Sequence, residues 1–341
     1  MATYNQALQQ QAGINASQEK ADSIIPDKNA CPLIVTTPYS PSASYIQIGA
    51  KWADTTEVFC DSHTMNWLFD HSIESLCQNF PAFGVSVHDA KYSRFLLDLD
   101  RKKNSYNPDY TDRPDMGIIP DDDDFYAANG TGVIWMRLPG DTETPLFMGD
   151  YQPTKAQIDD MLLEYDAYHE VLEKLITTHM DRFGASLHIS IQQFSREEAV
   201  MLGADPDDIP QFVLCDGGGQ TTERNFLEKL SSVITSKGYK VERNNIFPTG
   251  ELTQNHASRD NGAYSIQLKV FEELYLNPDT LQNATGYKKF SRDIHAIMMT
   301  MAEYARSCIR KSQPTASVSN LSKPVPENSG SKGDKGGPKP V

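Results

Sequence analysis

Gly262-Ala-Tyr-Ser-Ile-Gln-Leu-Lys-Val-Phe-Glu-Glu-Leu-Tyr275 is the stretch from which the fold is read. It follows a polar segment, residues 255–261, and alternates apolar and polar side chains before becoming continuously apolar. A period of two residues places alternate side chains on opposite faces of a strand. The reading is a buried strand that runs into a short helix.

Working outward, residues 291–310 place Ile294, Ile297, Met298, Met301, Tyr304 and Cys308 on one face of a helix. Residues 312–341 are rich in Pro, Gly, Ser and Lys and nearly free of large apolar side chains, so a disordered tail is expected. Upstream, residues 239–243 read as a strand, 222–236 as a helix closed by Lys237-Gly238, and 211–215 as a strand ending in Asp216-Gly-Gly-Gly219. Residues 186–194 alternate as a strand. Residues 154–182 form the clearest helix, with a Thr154/Gln157 capping box, one apolar stripe from Ile158 to His179, and Gly184 to stop it. Residues 32–37, 84–88, 94–99 and 133–138 read as further strands, and 67–80 as a helix. Residues 104–129 form a polar loop; its run Asp121 to Asp124 lacks the alternation and glycine turn of a calcium loop. Strands that alternate with helices imply an α/β fold: a single domain, residues 31–311, with a mixed, mostly parallel sheet flanked by helices. Residues 1–30, rich in Gln, Asn and Ser, are expected to be a flexible arm.

The chain has 341 residues and a formal charge of -15, which argues against general nucleic-acid binding. Cys31, Cys60, Cys77, Cys215 and Cys308 contain no Cys-x-x-Cys and leave an odd thiol, so buried free thiols in a reducing compartment are expected. No secretory signal and no membrane-length apolar window is visible. The expected location is cytoplasmic.

Several segments, in order, resemble the N-formylglutamate amidohydrolase family. Tyr264-Ser-Ile-Gln-Leu-Lys269 is similar to the family's His-Ala-Val-Gln-Leu-Glu. Pro38-Tyr39-Ser40 is similar to its Pro-His, and residues 92–101 to its Arg-Tyr/Phe-x-x-Asp-Leu-Asn-Arg. Gly130-Thr-Gly-Val133 resembles its Thr-Gly loop, Tyr168-His169-x-x-Leu172 its Tyr-His-x-x-Leu, and residues 212–219 its Leu-Gly-x-x-x-Gly. Gly238-Tyr239, Asn244, Gly250 and Thr253 follow its Gly-Tyr…Asn…Gly-Gly-x-Ile-Thr. The resemblance implies a fold and mechanism similar to zinc exopeptidases. A metal held by two histidines and a carboxylate would polarise the amide, and a glutamate would move protons.

Carried over residue by residue, that chemistry meets substitutions. The first histidine falls on Tyr39 and the second on Gln192. The motif aspartate falls on Ser190, the acid-base glutamate on Lys269, and the arginine of Ile-Thr-Arg on Gln254. The carboxylate ligand falls on Asp70 in one alignment and on Asp61, with His63, in another. Tyrosine and glutamine are poor zinc ligands, and a lysine repels a dication. No metal or other cofactor is therefore expected. Two readings stay open. In one, the chain has lost zinc-dependent hydrolysis and binds a small acidic or N-acyl amino acid, with Tyr39 and Lys269 at the family's catalytic positions. Arg101, Arg94, Thr131, Gln254 and Gln267 would then hold the ligand. Either arginine can equally be a structural partner of Asp98 or Asp100. In the other, zinc-dependent hydrolysis of non-peptide C–N bonds survives on ligands drawn from His63, Asp70, His188 and Gln192. His169 reads as a packed helix histidine.

Overall fold

A computed structural model describes residues 23–24, 29–39, 73–90, 94, 97–105, 124–138, 141–145, 155–280 and 282–309. They fall within one unit, Met1–Arg310. The opening stretch builds β9 (Ala263–Phe271), which passes into a 3-10 turn, Glu272–Leu274. β9 pairs in parallel with β6 (Ser186–Phe194) along its whole length, from Ser186–Ala263 to Phe194–Phe271. Around this pair the sheet runs β1 (Ser23–Ile24), β3 (Ser86–Asp89), β2 (Leu33–Thr37), β6, β9, β7 (Phe212–Cys215), β8 (Val241–Arg243). Only β1–β3 and β7–β9 are antiparallel among the described pairs of this sheet. The mixed, mostly parallel sheet expected from the sequence is what forms. Two short ribbons, β4 (Arg137–Leu138) with β5 (Asp141–Pro145) and β10 (Leu276–Asn277) with β11 (Gln282–Asn283), lie outside it. The helices are α1 (Ile73–Cys77), α2 (Phe125–Ala128), α3 (Lys155–Phe183), α4 (Arg196–Met201), α5 (Arg224–Ser236), α6 (Glu251–Asn255) and α7 (Tyr287–Ser307).

The two sheet faces differ in chemistry. On one, Leu33, Val35, Leu187, Ile189, Ile191, Ile266, Leu268 and Val270 pack against Leu230 and Ile234 of α5 and Ile294, Ile297, Met298 and Met301 of α7. Each such burial stabilises by about 1.5–3 kcal/mol, and a one-residue slip would exchange it for the polar set, so this face fixes the register. On the other, Thr36, His188, Ser190, Gln192, Ser265, Gln267 and Lys269 are all buried. They lie on the side of α3, and all but Lys269 are satisfied by hydrogen bonds, as buried polar groups require. His88 Nε2 donates to the Tyr168 carbonyl at 3.1 Å and the Tyr168 hydroxyl returns a bond to the His88 carbonyl at 3.3 Å. His179 Nε2 meets Ser86 Oγ at 2.9 Å. His188 bridges Thr36 Oγ1 (2.9 Å) and Ser265 Oγ (2.8 Å).

Some expectations change. Residues 97–101 form a turn, not a strand: Asp98 Oδ1 accepts from the Asp100 amide at 3.0 Å, and the Arg101 amide donates to the Asp98 carbonyl at 3.2 Å. Aspartate side chains divert backbone donors in this way. Residues 133–138 give one isolated bridge, Thr131–Trp135, and the two-residue β4. Asp124, read as loop, is the N-cap of α2, accepting from the Tyr126 and Ala127 amides. Ser23 and Ile24, within the expected N-terminal arm, pair with β3 as β1; residues 1–22 and 25–28 lie outside the described residues. The proposed Thr154 cap, the helical reading before Ile73 and the tail from residue 310 lie outside the described residues.

Candidate functional site

The carboxyl ends of the parallel strands bring the polar face to a focus, where open α/β sheets place their ligands. Tyr39 follows β2 by two residues, Gln192 lies near the end of β6, and Lys269 sits directly across from it on β9. Asp100 is the hub. Its Oδ2 accepts from Gln192 Nε2 at 2.9 Å and Gln267 Nε2 at 3.0 Å, and its Oδ1 from the Leu252 amide at 3.0 Å. Gln267 Nε2 also reaches Gln192 Oε1, and its own Oε1 accepts from the Gly250 amide, both at 3.0 Å. The second centre is Asp98, which accepts from the Tyr39 hydroxyl at 3.1 Å and from Trp135 Nε1 at 3.2 Å. Tyr39 is 2% exposed, and burial, reinforced by Asp98 and Asp100, holds its phenol protonated well above the ordinary range.

Three carboxylates and three cations, all buried, share this region: Asp98, Asp100 and Glu198 with Arg94, Arg101 and Lys269. Arg94 pairs with Glu198 at 3.3 Å and lies over the rings of Tyr39 and Trp135. Burial alone would raise the Glu198 pKa, but Arg94, Lys269 and Arg101 hold it below the usual carboxylate range. Asp100 goes the other way: desolvation outweighs the field of Lys269 and raises it to about 6. Arg101 faces Asp98 at 3.5 Å, donates from Nε to the Thr131 carbonyl at 3.2 Å, and stacks 3.5 Å from the centre of the Tyr126 ring. Burial would ease its proton off, but Asp98 overrides this and raises its pKa. Lys269 stands apart. It is 3% exposed, its ammonium lies 5.1 Å from the centre of the Phe247 ring, and it makes no hydrogen bond or ion pair with any described residue. A buried ammonium without a hydrogen-bonding partner is costly.

Of the residues singled out from the sequence, Tyr39, Gln192, Gln267, Lys269, Arg94 and Arg101 lie in this cluster. Thr131 serves it through its carbonyl; its amide donates to Tyr126 instead. Gln254 does not join: it is exposed and its side chain turns back to the Thr249 carbonyl. His188 lies four residues before Gln192 on the same strand, with both ring nitrogens engaged by Thr36 and Ser265. His63 and Asp70 lie outside the described residues. The sequence reading missed Trp135, Tyr126, Glu198 and the 250–252 amides. The one available signal was the Asp-x-Asp-Arg spacing of Asp98, Asp100 and Arg101.

Comparison with known proteins agrees with this architecture. A sequence profile described as N-formylglutamate amidohydrolase matches residues 31–276. An N-formylglutamate deformylase of Pseudomonas putida is 24% identical over 197 residues, which cover 57% of this chain and 65% of that protein. The chain thus aligns with just under two thirds of that relative's length. The crystal structure of an N-formylglutamate amidohydrolase from Ralstonia eutropha JMP134 superposes with a TM-score of 0.72 at 21% identity, covering 84% of this chain and 98% of the other. That likeness establishes the fold, and the profile match over most of the chain establishes the lineage: this protein belongs to the N-formylglutamate amidohydrolase family.

Proposed function

We propose that the protein binds a small acidic or N-acyl amino acid at the buried polar cluster at its strand ends and does not hydrolyse it through zinc. Lys269 carries this reading. Its buried ammonium has no described partner, so an anionic or carbonyl oxygen from a ligand is the group that completes it. Arg101, whose Nε and one terminal nitrogen are engaged by Thr131 and Asp98, is the second buried cation of the cluster assigned to the ligand. Arg94, paired with Glu198, is the helper cation in this reading.

The donor set does not suit zinc. At the two positions where the family resemblance implies histidines stand a phenol held in its protonated form and an amide. Both are committed: the Tyr39 hydroxyl to Asp98, Gln192 Nε2 to Asp100 and Ser190, and Gln192 Oε1 to Gln267. Among the described residues, no three His, Cys, Asp or Glu side chains are grouped to hold a metal ion. No helix among them is long and apolar enough to cross a membrane, and a cytoplasmic location fits a small-molecule role.

Calorimetry with N-formylglutamate and a panel of N-acyl and dicarboxylic acids tests the proposal. Lys269→Met and Arg101→Lys are each expected to weaken binding by about thirtyfold or more, because truncating one partner of a buried charge-assisted contact costs roughly 2–5 kcal/mol. Lysine cannot reproduce the guanidinium fork. Folded wild type that binds none of the panel would overturn the ligand assignment. Stoichiometric zinc in protein purified without chelators, together with formate release, would establish hydrolysis instead.

A further inference from the structure

A cleft lies on the far side of the Leu99–Asp100 turn, between α3 and residues 251–258. It encloses about 520 Å3. Two histidines form its floor. His169 Nε2 lies 3.0 Å from the Leu99 carbonyl, which can only accept, so that nitrogen carries the proton. His169 Nδ1 lies 2.8 Å from His256 Nε2, and the two rings are 5.0 Å apart between centres and tilted by only 27°. That is the spacing of an in-plane N–H···N bond. Burial first of all lowers both histidines, to about 4 and about 3, so both are neutral at pH 7. In the neutral pair His169 Nδ1 must accept and His256 Nε2 must donate. His256 Nδ1 is left as a bare lone pair, and no described residue donates to it.

The rest of the cleft is also rich in acceptors. Glu173 and Glu251 line it. Its strong donors are already used: Lys103 on Asp166 at 2.6 Å, Asn255 on Glu251, and the Tyr165 hydroxyl on the Arg101 carbonyl at 2.8 Å. Ile176, Ala257 and Ala263 supply an apolar wall. We infer that this cleft is a second binding site for a primary alkylammonium, its N–H groups donating to His256 Nδ1 and to the Glu173 and Glu251 carboxylates while the alkyl stem lies on the apolar wall. The geometry is independent of the Lys269 cluster and uses none of its side chains. The chain's net charge of -15 favours the encounter with a cation.

The test is titration calorimetry with 1,5-diaminopentane, and with glutarate as a probe of the same length and opposite charge. One diamine per chain is expected, and no glutarate in this cleft. His256→Ala should weaken the diamine by about tenfold, the usual scale of one hydrogen bond to a charged group. The exposed Glu173→Gln should weaken it several-fold and provides an arm that does not depend on His256→Ala folding. No saturable diamine binding to folded wild type, or diamine binding unchanged by Glu173→Gln and by folded His256→Ala, would overturn the site. Glutarate binding that Glu173→Gln strengthens would overturn the assigned charge.

Discussion

Replacing Gly250 by alanine isolates what holds α6 against the strand ends. Gly250 is the N-cap of α6 with φ -80° and ψ 171°, a conformation open to any residue, so alanine there meets no backbone strain. The difficulty is space: a Cβ at this position would overlap the Asp100 carboxylate. To make room, the segment must move off Asp100. That breaks the Leu252 amide bond to Oδ1 (3.0 Å), the Glu251 amide bond to the Asp100 carbonyl (3.1 Å) and the Gly250 amide bond to Gln267 (3.0 Å). Two neutral bonds at about 1 kcal/mol each and one to a carboxylate at about 2 kcal/mol give a loss of about 4 kcal/mol. With a urea slope of about 3 kcal/mol/M the midpoint falls by more than 1 M. Gly238→Ala is the matched control. Nothing lies within 4 Å of a Cβ there, but φ is +86°, so it reports backbone strain alone, about 1–2 kcal/mol. If Gly250→Ala costs no more than Gly238→Ala in urea unfolding, the Asp100 hub does not anchor α6.

The remaining expectations concern pH and thiols. His188 and His179 are 1% exposed, and burial lowers them to about 3 and about 4. As pH falls below 6.5 the unfolded chain takes up protons that the folded one refuses, so stability drops, by about 6 kcal/mol at pH 4 from these two histidines. Asp100, raised to about 6, binds its proton first in the folded state and returns about 2 kcal/mol over the same range. Urea titrations from pH 7 to 4 should therefore show a net loss; rising stability would contradict the buried neutral histidines. Asp100→Asn removes the offsetting gain and should steepen that loss, and an unchanged pH slope would show that Asp100 does not titrate in this window. Cys31, Cys77 and Cys215 are fully buried, and burial pushes the Cys215 thiol up to about 12. Mass spectrometry after brief maleimide treatment at pH 7 should find all three unmodified in folded protein and modified in urea.

The sequence was most legible where one period runs without interruption. β6 occupies the same residues that alternation marks, 186–194, and α3 follows the stripe from Ile158 to His179 almost to its ends. It misled at residues 94–99, where Leu97 and Leu99 flank Asp98 like strand positions; the aspartate's bonds to the local backbone make a turn instead. Within the site, Tyr39, Gln192, Gln267 and Lys269 were legible because they sit at fixed motif positions, Tyr39 just past β2 and the others on β6 and β9. Glu198, Trp135 and Tyr126 were not, because each reaches the cluster from a different element and carries no local pattern. Gln254 shows the limit of motif order: its place in the chain matched, but its side chain faces solvent.

The strand order has a consequence for how the chain is made. β2 meets its partner β6 across 152 residues at the Thr36–His188 contact, and β6 waits a further 77 residues for β9. At about 5–20 residues per second, roughly 10–50 s separate the emergence of β2 from that of β9. Throughout that interval Leu33, Val35, Leu187, Ile189 and Ile191 leave the ribosome without the strand and the α7 face that cover them. Pairings this distant close slowly and expose unpaired apolar edges meanwhile. The nascent chain is thus expected to need holding chaperones until β9 and α7 arrive, and its yield on expression should track chaperone supply more closely than the stability of the finished fold.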